Sequence, residues 1–172
     1  MFSLKRNILE SSTTADQAHH LLALWQEVME QALYRADTAQ TLLQRWRTAV
    51  ADIENEGDRE ILEQWDTEWL TTIVPEEFPD FASEMQHWLQ RVPTFVVYVP
   101  VALDAAGVEL LHRWVQQEMG EEWLLDLRVS ANTLGGCAFI ADEHWHDYSL
   151  HGQLQRQPEA VREALRSYET ST

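Results

Sequence analysis

Five residues in the last third of the chain carry the side chains best suited to chemistry: Asp142, His144, His146, Asp147 and His151. On a strand, His-x-His sets both imidazoles on one face, with carboxylates beside them, the donor set that zinc or iron takes. The plainer account is a solvated hairpin tip, in which the alternation of His144, Trp145 and His146 turns both rings outward. His19 and His20 are neighbours on a helix and cannot share a face. Cys137 is the only cysteine, which excludes an intrachain disulfide and a Cys-rich metal site. It lies between Gly136 and Ala138 in an apolar strand, which predicts a buried thiol of raised pKa rather than an activated nucleophile. Neither G-x-S-x-G nor H-E-x-x-H occurs. The acid pairs Glu76-Glu77 and Glu121-Glu122 fall at expected helix ends, where solvation accounts for them. The sequence therefore predicts no catalytic residue, no cofactor and no resident metal. A small metalloenzyme using His144 and His146 is the remaining catalytic alternative.

A sharper pattern surrounds those histidines. Leu134-Gly135-Gly136 precedes a short strand and an acidic turn, and Asp147-Tyr148-Ser149-Leu150-His151-Gly152-Gln153-Leu154 follows. Paired glycines allow positive φ and close backbone approach, and Asp147 or Ser149 can cap a following helix. The doublet is not a phosphate loop, because G-x-x-x-x-G-K-[ST] is absent.

The elements that must position this pattern divide near Val92-Pro93, giving a helical domain over 1–91 and an α/β domain over 92–172. From the N-capping cluster Ser11-Ser12-Thr13-Thr14 to Glu56 there is neither Gly nor Pro. Ala18, Leu21, Leu22, Trp25, Val28, Met29, Ala32 and Leu33 recur at helical steps, and Leu42, Leu43, Trp46, Val50 and Ile53 start a second phase. Two helices joined near Ala36-Asp37-Thr38 are expected, since one helix of that length is unusual in a globular protein. Gly57-Asp58 is expected to stop the segment. Ile61, Leu62, Trp65, Trp69 and Ile73 mark a further helix ended by Pro75 and Pro79, and a short one covers Phe81–Gln90.

After Pro93 the period changes. Phe95-Val96-Val97-Tyr98-Val99 reads as a covered strand, and Asp104 caps a helix that carries Val108, Leu111, Val115 and Met119 and ends at Gly120. Trp123–Val129 is a second strand and Cys137–Ala141 a third, continued in His144–His146. A helix from Asp147 to about Gln155 and a last one from Pro158 to Tyr168 complete the chain. The fold class is α+β: a helical bundle or hairpin, then a small β-α-β-β-α domain with a C-terminal helix.

This order, with Leu134-Gly135-Gly136, Ala141-Asp142, Asp147-Tyr148-Ser149 and Leu154, resembles the C-terminal part of the δ subunit of F-type ATP synthase. The mitochondrial member of that family is the oligomycin-sensitivity-conferring protein. The family pattern is Leu/Ile-Gly-Gly, a strand, a Gly-Asp-like turn, then Asp-Gly-Ser and a helix with Leu five residues after the Ser. Tyr148 replaces the usual Gly, and His144-Trp145-His146 replaces an aliphatic strand. The likeness covers about 94–157. It implies a non-catalytic peripheral-stalk subunit whose helical domain binds the N-terminal helices of the α subunits and whose C-terminal domain grips the b subunits. Such a protein stops the catalytic head turning with the rotor. The alternative within this class is the E subunit of A/V-type ATPases or a FliH-like regulator, which would replace the hairpin by one extended helix over 14–56.

Composition agrees with a protein partner. With 29 acidic and 12 basic residues the formal charge is −17, which opposes binding to nucleic acid or direct docking on anionic lipid. Trp25, Met29, Trp46, Trp65 and Trp69 are candidate helix-gripping anchors, although aromatics at helical spacing are more often core. The N-terminus lacks the apolar stretch of a secretory signal, and no run is long enough to span a bilayer. A cytoplasmic protein that meets the membrane only through its complex is expected.

Overall fold

The computed structural model describes residues 2–34, 40–133, 135–141 and 144–156, without the side chains of Ala141 and His151. Seven α-helices and a four-stranded sheet occur among them, helices first, giving the expected α+β class. The chain forms two compact units, 1–93 with 120–124, and 94–119 with 125–172.

The first unit is helical. Helix α1 (Phe2–Glu10) is an element that the sequence reading passed over, and it buries Leu4 and Ile8 fully. Its Asn7 is buried and clamps a distant loop, with Nδ2 donating to the Asp66 carbonyl at 2.8 Å and Oδ1 accepting the Asp66 N–H at 3.3 Å. Helix α2 (Ala15–Tyr34) starts after Thr14, whose Oγ1 accepts the Gln17 N–H. Helix α3 (Leu42–Ala51) is separate: Thr41 is extended and closes a capping box with Gln44. Arg45 ties α3 to α2 through the Leu33 carbonyl at 3.2 Å. The expected junction at Ala36-Asp37-Thr38 lies outside the described residues.

Three expectations change here. Gly57 does not stop a helix; Asn55 caps α4 (Glu56–Glu63), and Gly57 lies in its first turn. The single helix expected over 61–73 is instead α4 followed by a 3-10 turn, Glu68–Thr72. The break arises because Asn7 satisfies the backbone of Asp66 and lets the chain turn there. Pro79 sits in the first turn of α5 (Phe78–Leu89), where a missing N–H costs nothing, rather than ending an element.

The second unit is a sheet of order β2-β1-β3-β4: β1 (Thr94–Val99), β2 (Leu124–Val129), β3 (Ala138–Ala141) and β4 (His144–Asp147). Strands β1 and β3 are antiparallel, as are β3 and β4. The three-strand reading is corrected to four, with β4 a strand of its own pairing Phe139 with His146 and Ile140 with Trp145. Helix α6 (Ala105–Met119) connects β1 to β2, with Asp104 Oδ1 accepting the Gly107 N–H at 2.8 Å. Phe95, Val97, Val99, Val115, Leu125 and Ala138 are buried. Helix α7 (Leu150–Arg156) closes the described chain, and the expected helix over Pro158–Tyr168 lies outside it.

Candidate functional site

The glycine doublet and the Asp-x-Ser segment meet. Gly135 and Gly136 have φ of 62° and 125°, a region that L side chains rarely enter. A Cβ on Gly136 would stand 2.5 Å from the Tyr148 carbonyl oxygen, so only glycine lets the two segments run this close. The Tyr148 N–H donates to the Cys137 carbonyl at 2.9 Å, and the Leu150 N–H donates to the Gly135 carbonyl at 2.6 Å. These bonds extend the β3–β4 ladder past its last pair, Ala138 with Asp147.

At the end of that ladder the chain turns into α7. Asp147 Oδ1 accepts the Ser149 N–H at 2.8 Å, and Ser149 Oγ accepts the Gly152 N–H at 3.0 Å, capping the helix. Ser149 is fully buried. Gly152 lies against the Asp147 carboxylate, which would have to shift to admit a Cβ there. Arg156 Nη2 donates back to the Asp147 carbonyl at 2.6 Å. The Asp147 and Ser149 side chains and the Arg156 guanidinium thus each make a hydrogen bond that shapes the corner.

Tyr148, Leu150 and Leu154 are exposed beside the corner, with Leu150 and Leu154 one turn apart on α7. Tyr148 stacks on Phe139 with ring centroids 5.7 Å apart and 15° between planes. Thus Gly135, Gly136, Asp147 and Ser149 are brought together, Leu154 projects from the helix they cap, and Leu134 lies outside the described residues.

His144 and His146 both lie on β4, two residues apart and so on one face. His146 stacks on Phe139 at 5.2 Å, packed against the sheet rather than turned wholly outward. Asp142 and the His151 side chain lie outside the description, and no group of three or more His, Cys, Asp or Glu among the described residues is placed to hold a metal ion. Cys137 is half-buried, not fully buried as its apolar neighbours suggest, because it precedes the first residue of β3.

The five candidate anchors of the first unit are corrected. Trp25, Met29, Trp46, Trp65 and Trp69 are all buried. Trp69 lies edge-on to Trp25 at 5.8 Å and to Trp46 at 5.0 Å, and Trp25 also meets Phe78 and Phe81. Their area is spent within the unit, because short helices need large side chains to fill the space between them.

One face of the sheet is aromatic, which the sequence pattern did not predict. Tyr98 meets Trp145 at 4.9 Å, and the Arg128 guanidinium lies over the Tyr98 ring at 5.8 Å. A hydrogen bond to Asp126 at 2.7 Å holds Arg128 there and its pKa above the ordinary value. The available signal was the period of β1, which sets Tyr98 opposite the buried Phe95, Val97 and Val99. No family model and no curated protein matches this chain.

Proposed function

We propose that the chain is a non-catalytic peripheral-stalk subunit of the δ type in a rotary F-type ATP synthase, joining the catalytic head to the b subunits and resisting rotor torque. One observation carries the reading. The short motif behind the resemblance, Gly135-Gly136 with Asp147-x-Ser149, closes in space into a corner that needs glycine on one side and a capping Ser on the other. A structural part of this kind is expected to use its polar groups for shape, and the hydrogen bonds of Asp147, Ser149 and Arg156 support that reading.

The division of residues 15–51 into α2 and α3 favours the δ type over the E-type or FliH-like alternative. That alternative calls for one extended helix, whereas Thr41 is extended and both helices line one core. Among the described residues no helix is long and apolar enough to cross a membrane, so membrane association in this reading is peripheral, through the complex. The test is a native pull-down of the tagged chain from its own cell extract. Recovery of the α and b subunits of the synthase is expected; recovery of neither sinks the proposal.

A further inference from the structure

Helix α6 is held by few anchors. Only His112 and Val115 of its 15 residues are buried, whereas α2 buries 8 of 20. Val108, Leu111 and Met119 are partly buried, and Trp114 meets Phe95 with ring centroids 5.9 Å apart. Phe95 shares its face of β1 with Val97 and Val99, which sets α6 on that side of the sheet. One of the two anchors is thus an imidazole. His112 is 7 % exposed, and its Nε2 has no hydrogen-bond partner among the described residues.

A neutral imidazole can leave a lone pair at Nε2, but the imidazolium carries an N–H there. A buried, charged donor without an acceptor costs far more than an unmatched lone pair. The sheet supplies no acid to meet it. Val97 lies opposite Phe139 and Phe139 opposite His146, so the face under α6 also carries His144 and His146, with Cys137 just before β3. Asp126 and Arg128 lie on the other face, where Arg128 covers the Tyr98 ring. Asp147 is on that other face too, opposite Ala138. Among the described strands the α6 face therefore has no carboxylate. On α6 itself Glu109, one turn away, is exposed and pairs with Arg113 at 3.6 Å. Burial lowers the His112 pKa below the ordinary range, and Glu109 opposes that only in part.

We propose that α6 is an acid-released cover: protonation of His112 frees it from the sheet and lays Phe95, Val97 and Leu125 open while the helical unit stays folded. The imidazolium is stable only in water, and Val115 is then the one buried anchor left to a helix of 15 residues. The opened helix binds the proton more tightly than the closed one. Opening therefore grows as pH falls from about 6.5 toward the lower pKa of the closed form, and it is suppressed above about 6.5. The device is independent of the stator assignment, since it needs only the residues of the second unit.

The test is amide hydrogen exchange of the full chain, read peptide by peptide in a mass spectrometer at about pH 7.5 and about pH 5.5, each referred to the unstructured rate at the same pH. Protection of α6 should fall by about threefold or more on acidification, while α2 and α5 hold theirs. His112→Leu fills the site without a charge and should keep α6 equally protected at both pH values. His144→Gln and His146→Gln should lose protection as the unaltered chain does. Glu109→Gln is an exposed change that removes the one acid favouring the imidazolium, so the loss should begin at lower pH. The proposal is overturned if α6 keeps its protection on acidification, if His112→Leu loses it equally, if Glu109→Gln leaves the onset unmoved, or if α2 opens in step with α6.

Discussion

At the scale of single residues, glycine decides the corner. Gly136 combines a φ of 125° with a carbonyl oxygen standing where its Cβ would be, so a larger residue meets strain and overlap together. Gly136→Ala should destabilise the second unit by about 2–4 kcal/mol, read as a lower urea midpoint at unchanged slope. Burial acts in a different way on His112, whose Nε2 has no hydrogen-bond partner among the described residues. Desolvation lowers its pKa below the ordinary histidine range. The unfolded chain therefore holds more protons than the folded one between the folded pKa and about 6.5, and stability rises with pH through that window. It is lost as pH falls below about 6.5. Comparing urea midpoints at neutral and mildly acid pH, the decrease on acidification should be smaller in His112→Leu than in the unaltered chain; an equal decrease would remove His112 as its source.

Elements are held by local side-chain bonds as much as by pattern. Ser149 caps α7 from a fully buried position, so Ser149→Ala should cost about 1–2 kcal/mol through the Gly152 N–H it leaves unpaired. Asn7→Ala should be comparable, about 1–3 kcal/mol, because both backbone groups of Asp66 lose their partner. Each value is read from denaturant unfolding, and a change below a few tenths of a kcal/mol would show that water replaces the lost bond. Helices α2, α5 and α6 were legible because their apolar residues recur at helical steps and Asp104 announces a cap. Helix α1 was not, since only Leu4 and Ile8 mark its buried face in nine residues. The 3-10 turn Glu68–Thr72 was hidden for a related reason: Trp65 and Trp69 keep helical spacing across a break that Asn7 dictates from far away in sequence.

For the whole molecule the largest sequence-wide quantity is charge. Among the described residues the ion pairs are exposed on at least one side and do little to counter it, so self-repulsion works against the compact state at low salt. The melting temperature at neutral pH should rise by a few degrees between about 10 mM and 200 mM sodium chloride, as the screening length shortens from about 30 Å to below 10 Å. A flat or falling melting temperature in scanning calorimetry would show that repulsion is not a destabilising term.

By itself the sequence determined the class and the punctuation. Helical period before Pro93, a β-branched run after it, and a glycine doublet followed by Asp-x-Ser yield an α+β chain with a tight corner, since period, φ range and capping chemistry are local properties. Only the tertiary structure decided which apolar residues are core and which remain outside. Trp46 and Trp114 are equally apolar in sequence, yet one is packed between helices and the other stays half exposed on α6 with its ring against Phe95 at 5.9 Å. Burial depends on what the rest of the chain places opposite a residue, and a linear pattern records the face but not the neighbour.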